Sequence, residues 1–235
     1  MCGRVYETYT DQELYLRYIE EQALPDSPLA TPVYNLCPTM TSPVLRLIDG
    51  GRHFDLMSWQ LIPQHELAFK TKLSTINARS EGIFNSSLYG DLVIRQRCII
   101  PISGFFEWKR EGSQKRPFKI YLCDEPIMSV AGIWDTWRRG RTEERSSFSI
   151  LTTSANSFMS TIHDRMPVIL GRSDEQDWLD PEIHEPDSLK RFLKPCPGSW
   201  LTAMEVSSLV NSAKNNTPEV LEPPKIDSRP SLLFD

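Results

Sequence analysis

The 235-residue sequence contains no C-x-x-C pair, no H-E-x-x-H spacing and no apolar run long enough to cross a membrane as a helix. Its five cysteines, Cys2, Cys37, Cys98, Cys123 and Cys196, are odd in number and scattered, which argues against a disulfide framework or a structural zinc site. Only four histidines are present, His53, His65, His163 and His184, so neither a metal nor another cofactor is expected. The N-terminus lacks the apolar stretch of a secretory leader, and the expected compartment is the reducing cytoplasm, with no membrane partner. Basic residues do not predominate. The 26 Lys and Arg stand against 31 Asp and Glu, a net charge of -5, which gives no sign of a broadly basic nucleic-acid binder but leaves room for a local basic cleft. Repeats and low-complexity linkers are also missing. What remains is ordinary globular composition, 40% hydrophobic and 24% charged, in a chain long enough for one large domain or at most two.

The chain opens Met1-Cys2-Gly3-Arg4. A small second residue lets methionine aminopeptidase remove Met1. Residue 2 would then carry an α-amine of pKa about 8 beside a thiol of pKa about 8.5, two nucleophiles on adjacent carbons. Such a 1,2-aminothiol attacks an acyl carbon, or condenses with an aldehyde and closes a five-membered thiazolidine. The ordinary alternative is an incidental cysteine on a frayed terminus.

Local patterns place the rest of the chain. Thr10-Asp-Gln-Glu13 is a capping-box pattern ahead of Leu14, Tyr15, Tyr18 and Ile19; it predicts a helix over 11–22, ended by Pro25 and Pro28. Pro25, Pro28, Pro32, Pro38 and Pro43 predict an irregular loop over 24–43 with short extended pieces. Runs rich in β-branched and aromatic residues predict strands over 44–48, 54–59, 98–108, 118–123, 127–134, 148–153, 168–170 and 200–206. The charged stretches 109–115 and 138–145 read as hairpin loops, and loops of this kind are usually just solvated. Short helices fit 155–162, 173–180 and 187–194, with Ser173 and Asp187 as N-caps. Many strands with few helices give a single α+β domain, a curved sheet or barrel with short flanking helices, over residues 1–223, followed by a tail over 224–235.

Three further segments carry polar residues where apolar ones are expected. In Thr75-Ile-Asn-Ala-Arg-Ser-Glu81, Asn77 and Arg79 share a face if the segment is extended. The amide can orient the Cys2 amine and the guanidinium can take a phosphate bidentately; a turn Asn beside a surface Arg is the plain alternative. In Ile100-Pro-Ile-Ser-Gly-Phe-Phe-Glu107-Trp, a carboxyl between bulky aromatics would have its pKa raised by desolvation and suit a general acid near neutral pH, unless it points outward and is solvated. In Thr161-Ile-His163-Asp-Arg165-Met-Pro, His163 follows a helix-like segment and precedes an apolar strand, where it either serves a site or meets the last helix carbonyls; Arg165 is a second phosphate candidate.

Taken together, Met1-Cys-Gly-Arg4, Tyr34-Asn-Leu-Cys-Pro-Thr39, Asn77-Ala-Arg-Ser-Glu81, Arg97-Cys-Ile-Ile-Pro101 with Gly104-Phe-Phe-Glu107-Trp108, and Ile162-His-Asp-Arg-Met-Pro167 resemble the SRAP (SOS response-associated peptidase) family in order and spacing. The resemblance runs from Cys2 to about Pro223. It implies a monomeric sensor of abasic sites in single-stranded DNA, acting in the DNA-damage response and reaching the nucleoid when bound to damaged DNA. Such a protein joins the ring-opened deoxyribose covalently as a thiazolidine. It further implies that Cys2 supplies amine and thiolate, that Asn77 positions the amine and sugar, and that Glu107 is the acid and base. His163 would assist ring opening, and Arg4, Arg79 and Arg165 would hold phosphates. The family's peptidase label implies self-removal of Met1 or of an adduct. One departure stands out: Gln60 replaces the family's usual Gly and His65 its usual Trp in Trp59-Gln-Leu-Ile-Pro-Gln-His65, the wedge where Trp59 and His65 would meet DNA bases.

Two other readings compete. N-terminal-nucleophile glutamine amidotransferases also begin Met-Cys-Gly, but the Glu107 and His163 segments do not fit them. A non-covalent single-strand binding module would leave Cys2 inert.

Overall fold

The computed structural model describes residues 2–19, 28–138 and 141–225. In chain order the strands are β1 (Val5–Glu7), β2 (Val33–Leu36), β3 (Thr41–Ile48), β4 (Gly51–Trp59), β5 (Asn77–Arg79), β6 (Arg97–Ile102), β7 (Gly104–Glu111), β8 (Gln114–Leu122), β9 (Met128–Trp137), β10 (Arg145–Ser154), β11 (Arg165–Pro167) and β12 (Leu201–Glu205). The helices are α1 (Asp11–Tyr18), α2 (Gly90–Arg95), α3 (Arg172–Leu179) and α4 (Pro186–Lys190).

Two sheets form an α+β fold. β10, β4, β3, β6 and β9 pair in that order, and β9 pairs back to β10, closing a ring to which β5 and β11 attach through β10 alone. A second sheet runs β12-β8-β7-β1-β2. One buried cluster joins the sheets, with Val5, Phe105 and Ile120 of the open sheet meeting Val44, Trp59, Phe148 and Ile150 of the ring. A second cluster lies under the helices, where Leu14 and Tyr18 of α1, Val93 of α2 and Trp178 of α3 cover Leu45, Ile99 and Leu151. Each large side chain removed from water in these clusters contributes about 1.5–3 kcal/mol.

The ring changes neighbours along β10. β9 flanks it up to Ile150, and β11 takes over that side from Thr152. On the other side β4 pairs at Ser147 and Phe148, and β5 continues the same parallel ladder from Ile150 to Thr152. The chain between Trp59 and Asn77 therefore leaves the ladder and rejoins it further along. At this seam β5 and β11 bring Asn77, Arg79 and Arg165 to one end of the ring.

The expected capping box forms. Thr10 Oγ1 accepts from the Glu13 amide and Glu13 Oε2 accepts from the Thr10 amide. The helix stops at Tyr18, short of the expected 22, and residues 20–27 lie outside the described residues. The expected strand 98–108 is two strands broken at Ser103, because the chain crosses there from ring to open sheet. β6 is buried along its whole length, so no alternation marks the crossing. The expected helix 155–162 is only a 3-10 turn at Met159–Thr161, and the expected strand 168–170 lies at 165–167, with Ile169 adding a single bridge to Val130. α3 and α4 are capped by Gly171 and Glu185 instead of Ser173 and Asp187. The hairpin loop expected at 138–145 includes residues 139 and 140, and the tail includes 226–235; both stretches lie outside the described residues. β1, β2 and α2 carry too few residues to show a period.

Gln60 has φ 130°, a left-handed conformation that strains any residue with a Cβ. It begins the excursion from the ladder, with its amide bonded to Phe148 O and its Nε2 to Leu73 O. Strain of this kind costs roughly 1–3 kcal/mol. Glycine at this position is expected to relieve it despite the lost side-chain bond, giving a net gain of about 1 kcal/mol and a Tm rise of about 2–4 °C. A Tm at or below that of the parent in differential scanning calorimetry would contradict this.

Candidate active site

Cys2 stands just ahead of β1, the strand of the open sheet that pairs with β2 on one side and β7 on the other. Gly104 allows the close approach of β1 to β7: a Cβ there would lie 2.4 Å from the Tyr6 hydroxyl and 2.4 Å from Ile120 O. Cys2 is fully buried against the cluster that holds Phe105, Met159 and Cys196.

Asn77, at the start of β5, donates from Nδ2 to the Cys2 carbonyl at 2.8 Å. Its Oδ1 is buried with no hydrogen-bond partner among the described residues. An acceptor is thus held beside residue 2. Glu107, on β7, is buried, and burial pushes its carboxyl up from the usual range, partly opposed by His163. His163 Nε2 lies 3.9 Å from Glu107 Oε2, and the side chains are 25% and 5% exposed, so His163 forms the solvent side of the pair. His163 Nδ1 lies 3.0 Å from the Arg165 amide. When Nδ1 accepts that hydrogen bond, the proton of a neutral ring is on Nε2, toward Glu107; the Arg165 carbonyl 3.3 Å from Nδ1 offers an acceptor to the other tautomer. Asp164 Oδ1 also lies 3.0 Å from Nδ1 and can hold the ring once it is protonated.

Burial, with the Glu107 carboxylate adding to it, raises the Cys2 thiol far above its ordinary value; the hydrogen bond from the Arg4 backbone opposes this only in part. Burial thus disfavours a thiolate at Cys2 in the resting site. Any attack by this sulfur needs a base at the moment of reaction.

The phosphate candidates differ in availability. Arg79 is exposed and forms no side-chain hydrogen bond or ion pair among the described residues. Arg4 donates from Nη1 to Asn35 Oδ1 at 2.7 Å and to Val210 O at 2.6 Å, beside the Trp108 ring. Arg165 is held bidentately by Glu81 at 2.6 and 2.9 Å and also donates to Thr152 O. A phosphate would have to displace the Glu81 carboxylate from Arg165. Trp59 is fully buried, stacked on Phe148 with interplanar angle 4° and its indole N–H on Ile76 O, so its expected contact with DNA bases is replaced by a packing role. His65 is exposed on the excursion, near Leu67, which is 91% exposed.

A cleft of about 410 Å³ is lined by Glu107, Trp108, Arg110, Lys115, His163 and Asn211. The Trp108 indole donates to Asn211 Oδ1 at 2.7 Å. Sequence reasoning misses Trp108, Arg110, Lys115 and Asn211 as site residues. The position of Trp108 directly after Glu107 is the signal that could find it; Arg110 and Lys115 look like part of an ordinary solvated loop. Among the described residues no group of three or more His, Cys, Asp or Glu could hold a metal ion, and no helix is long and apolar enough to cross a membrane.

A family profile described as SOS response associated peptidase (SRAP) matches residues 1–213. The abasic site processing protein YoqW of Bacillus subtilis (strain 168) is 35% identical over 225 residues, which cover 94% of this chain and 99% of that protein. The abasic site processing protein YedK of Escherichia coli (strain K12) is 30% identical over 227 residues, covering 95% of this chain and 100% of that protein. A crystal structure of a protein from Bacteroides thetaiotaomicron superposes with TM-score 0.80 at 27% identity, covering 95% of this chain and 100% of that one.

Proposed function

The chain belongs to the SRAP family, and from that premise we propose that it senses abasic sites in single-stranded DNA and captures them covalently through Cys2 once Met1 has been removed. The observation that carries this reading is convergence on residue 2. Asn77 bonds the Cys2 carbonyl, and Glu107, whose charge acts on the Cys2 thiol, stands against His163. An incidental terminal cysteine would not gather an amide, a carboxyl and an imidazole from three distant parts of the chain.

The chemistry follows from these groups. The abasic sugar is mainly a closed hemiacetal. In its acid form, which burial favours, Glu107 gives a proton to the ring oxygen as His163 takes one from the C1′ hydroxyl, and the aldehyde opens. The Cys2 amine adds to C1′, oriented by the acceptor Oδ1 of Asn77. The proton held by His163 passes to the C1′ hydroxyl of the adduct, which leaves as water to give a protonated imine. The neutral thiol then attacks C1′; its proton passes to the Glu107 carboxylate, and the C=N pair returns to nitrogen, closing the thiazolidine. His163 faces the solvent side of Glu107 and relays the proton. The peptidase activity in the family's description is read as removal of the chain's own Met1.

Intact-mass spectrometry after incubation with abasic single-stranded DNA tests this reading. The expected species is the chain without Met1 plus the oligonucleotide, less one water. Robust release of ammonia from glutamine would favour the amidotransferase reading instead.

A further inference from the structure

We propose that Arg110 and Lys115 form a phosphodiester subsite at the mouth of the active-site cleft, holding the strand that flanks the lesion. The inference rests on the DNA reading above and adds the residues that grip the backbone. Arg110 and Lys115 face each other directly across the β7–β8 ladder. Like charges in such a pair repel and destabilise a hairpin. Both are exposed, and neither side chain has a hydrogen bond or ion pair among the described residues. Their neighbours are treated differently: Lys109 lies 3.0 Å from Glu111, and Arg116 is held by Glu111 and Glu205. Of the four cations at the tip of the hairpin, residues 109–116, two are thus neutralised and the opposed pair is left bare.

The bare pair lines the same cleft as Glu107 and His163. Between the pair and the chemistry sits Trp108, whose indole is fixed by Asn211. Cations on the rim and a fixed aromatic inside match the backbone and base of a single strand. Whole-chain charge cannot supply this attraction, since it is -5. Of the arginines nearer the seam, Arg4 and Arg165 are already engaged within the protein, which leaves Arg79 as the exposed one.

The experiment measures binding of an intact, non-abasic single-stranded oligonucleotide by fluorescence anisotropy across a salt series. Arg110→Ala/Lys115→Ala is expected to reduce the slope of log K against log salt by about 1.4, at roughly 0.7 for each phosphate no longer neutralised. Arg110→Lys/Lys115→Arg is expected to retain the parent slope. Arg110→Glu, which creates an opposite-charge pair with Lys115, is expected to weaken binding while leaving Tm at or above the parent value, so that loss of binding is separated from loss of fold. A double-alanine variant with the parent slope overturns the subsite. If the parent chain also crosslinks abasic DNA in that case, the proposed function survives alone. If the slope falls as expected but the parent chain gives no adduct, the subsite stands and the covalent chemistry fails.

Discussion

Cys2→Ala is expected to reduce denaturant-resistant adduct with abasic DNA to background. The reason lies in what each nucleophile can hold alone. Alanine at residue 2 still permits removal of Met1 and still presents an α-amine. That amine forms an imine, but water reverses an imine readily. The sulfur attack makes the product last, because it turns the trigonal carbon into a ring carbon bonded to both nitrogen and sulfur. Two gel measurements therefore separate the steps. Without reductant the variant should show no retained band; with borohydride, which reduces the imine, a band should return. A stable band in the untreated variant would refute the thiazolidine, and the absence of any band after borohydride would place the failure at the amine.

Glu107→Gln is expected to slow adduct formation by about 10²–10⁴-fold without unfolding the protein. The amide matches the carboxyl in shape but can neither donate to the opening sugar as an acid nor take the proton of the neutral Cys2 thiol. The pH behaviour distinguishes this role from simple positioning. Burial raises the Glu107 pKa in the folded protein, so the acid form persists to higher pH than in the unfolded chain. Stability from that protonated carboxyl is complete below the unfolded value and is lost as pH rises through the folded one. The parent should therefore lose both stability and its acid-dependent rate across that interval, and the variant should lose neither. Parent-like rates in the variant between about pH 5 and 8, the span that brackets catalytic carboxyls with raised values, would exclude the acid–base role.

The sequence exposes the proposed reactive residues more clearly than the proposed strand-binding surface beside them. Cys2, Asn77, Glu107 and His163 are legible because reactive residue types stand out in otherwise apolar or turn-like segments. The structure gathers them by strand pairings that no local pattern announces, β5 on β10 and β1 on β7. Trp59 misleads for a related reason: an indole in a polar motif looks available, and only the stack on Phe148 shows that it is core. Arg165 carries a charge whose partner, Glu81, lies far away in the chain. Arg110 and Lys115 escape notice because a charged hairpin usually means only solvation. Their significance emerges once the ladder sets them opposite each other and the cleft sets them beside Glu107.

β4 and β5 lie end to end along β10, and the residues between Trp59 and Asn77 bridge the two. The ends of that stretch belong to the ring, where Gln60 N donates to Phe148 O, Ile150 N donates to Ile76 O, and Leu61 and Ile62 are buried. The middle, residues 64–73, makes no backbone hydrogen bond to a ring strand among the described residues and can serve as a replaceable cassette. Lengthening it would cost only about 0.6 kcal/mol per doubling. The exposed His65 and Leu67 can therefore be changed without moving Cys2 and Glu107, which the strands of the other sheet hold in place.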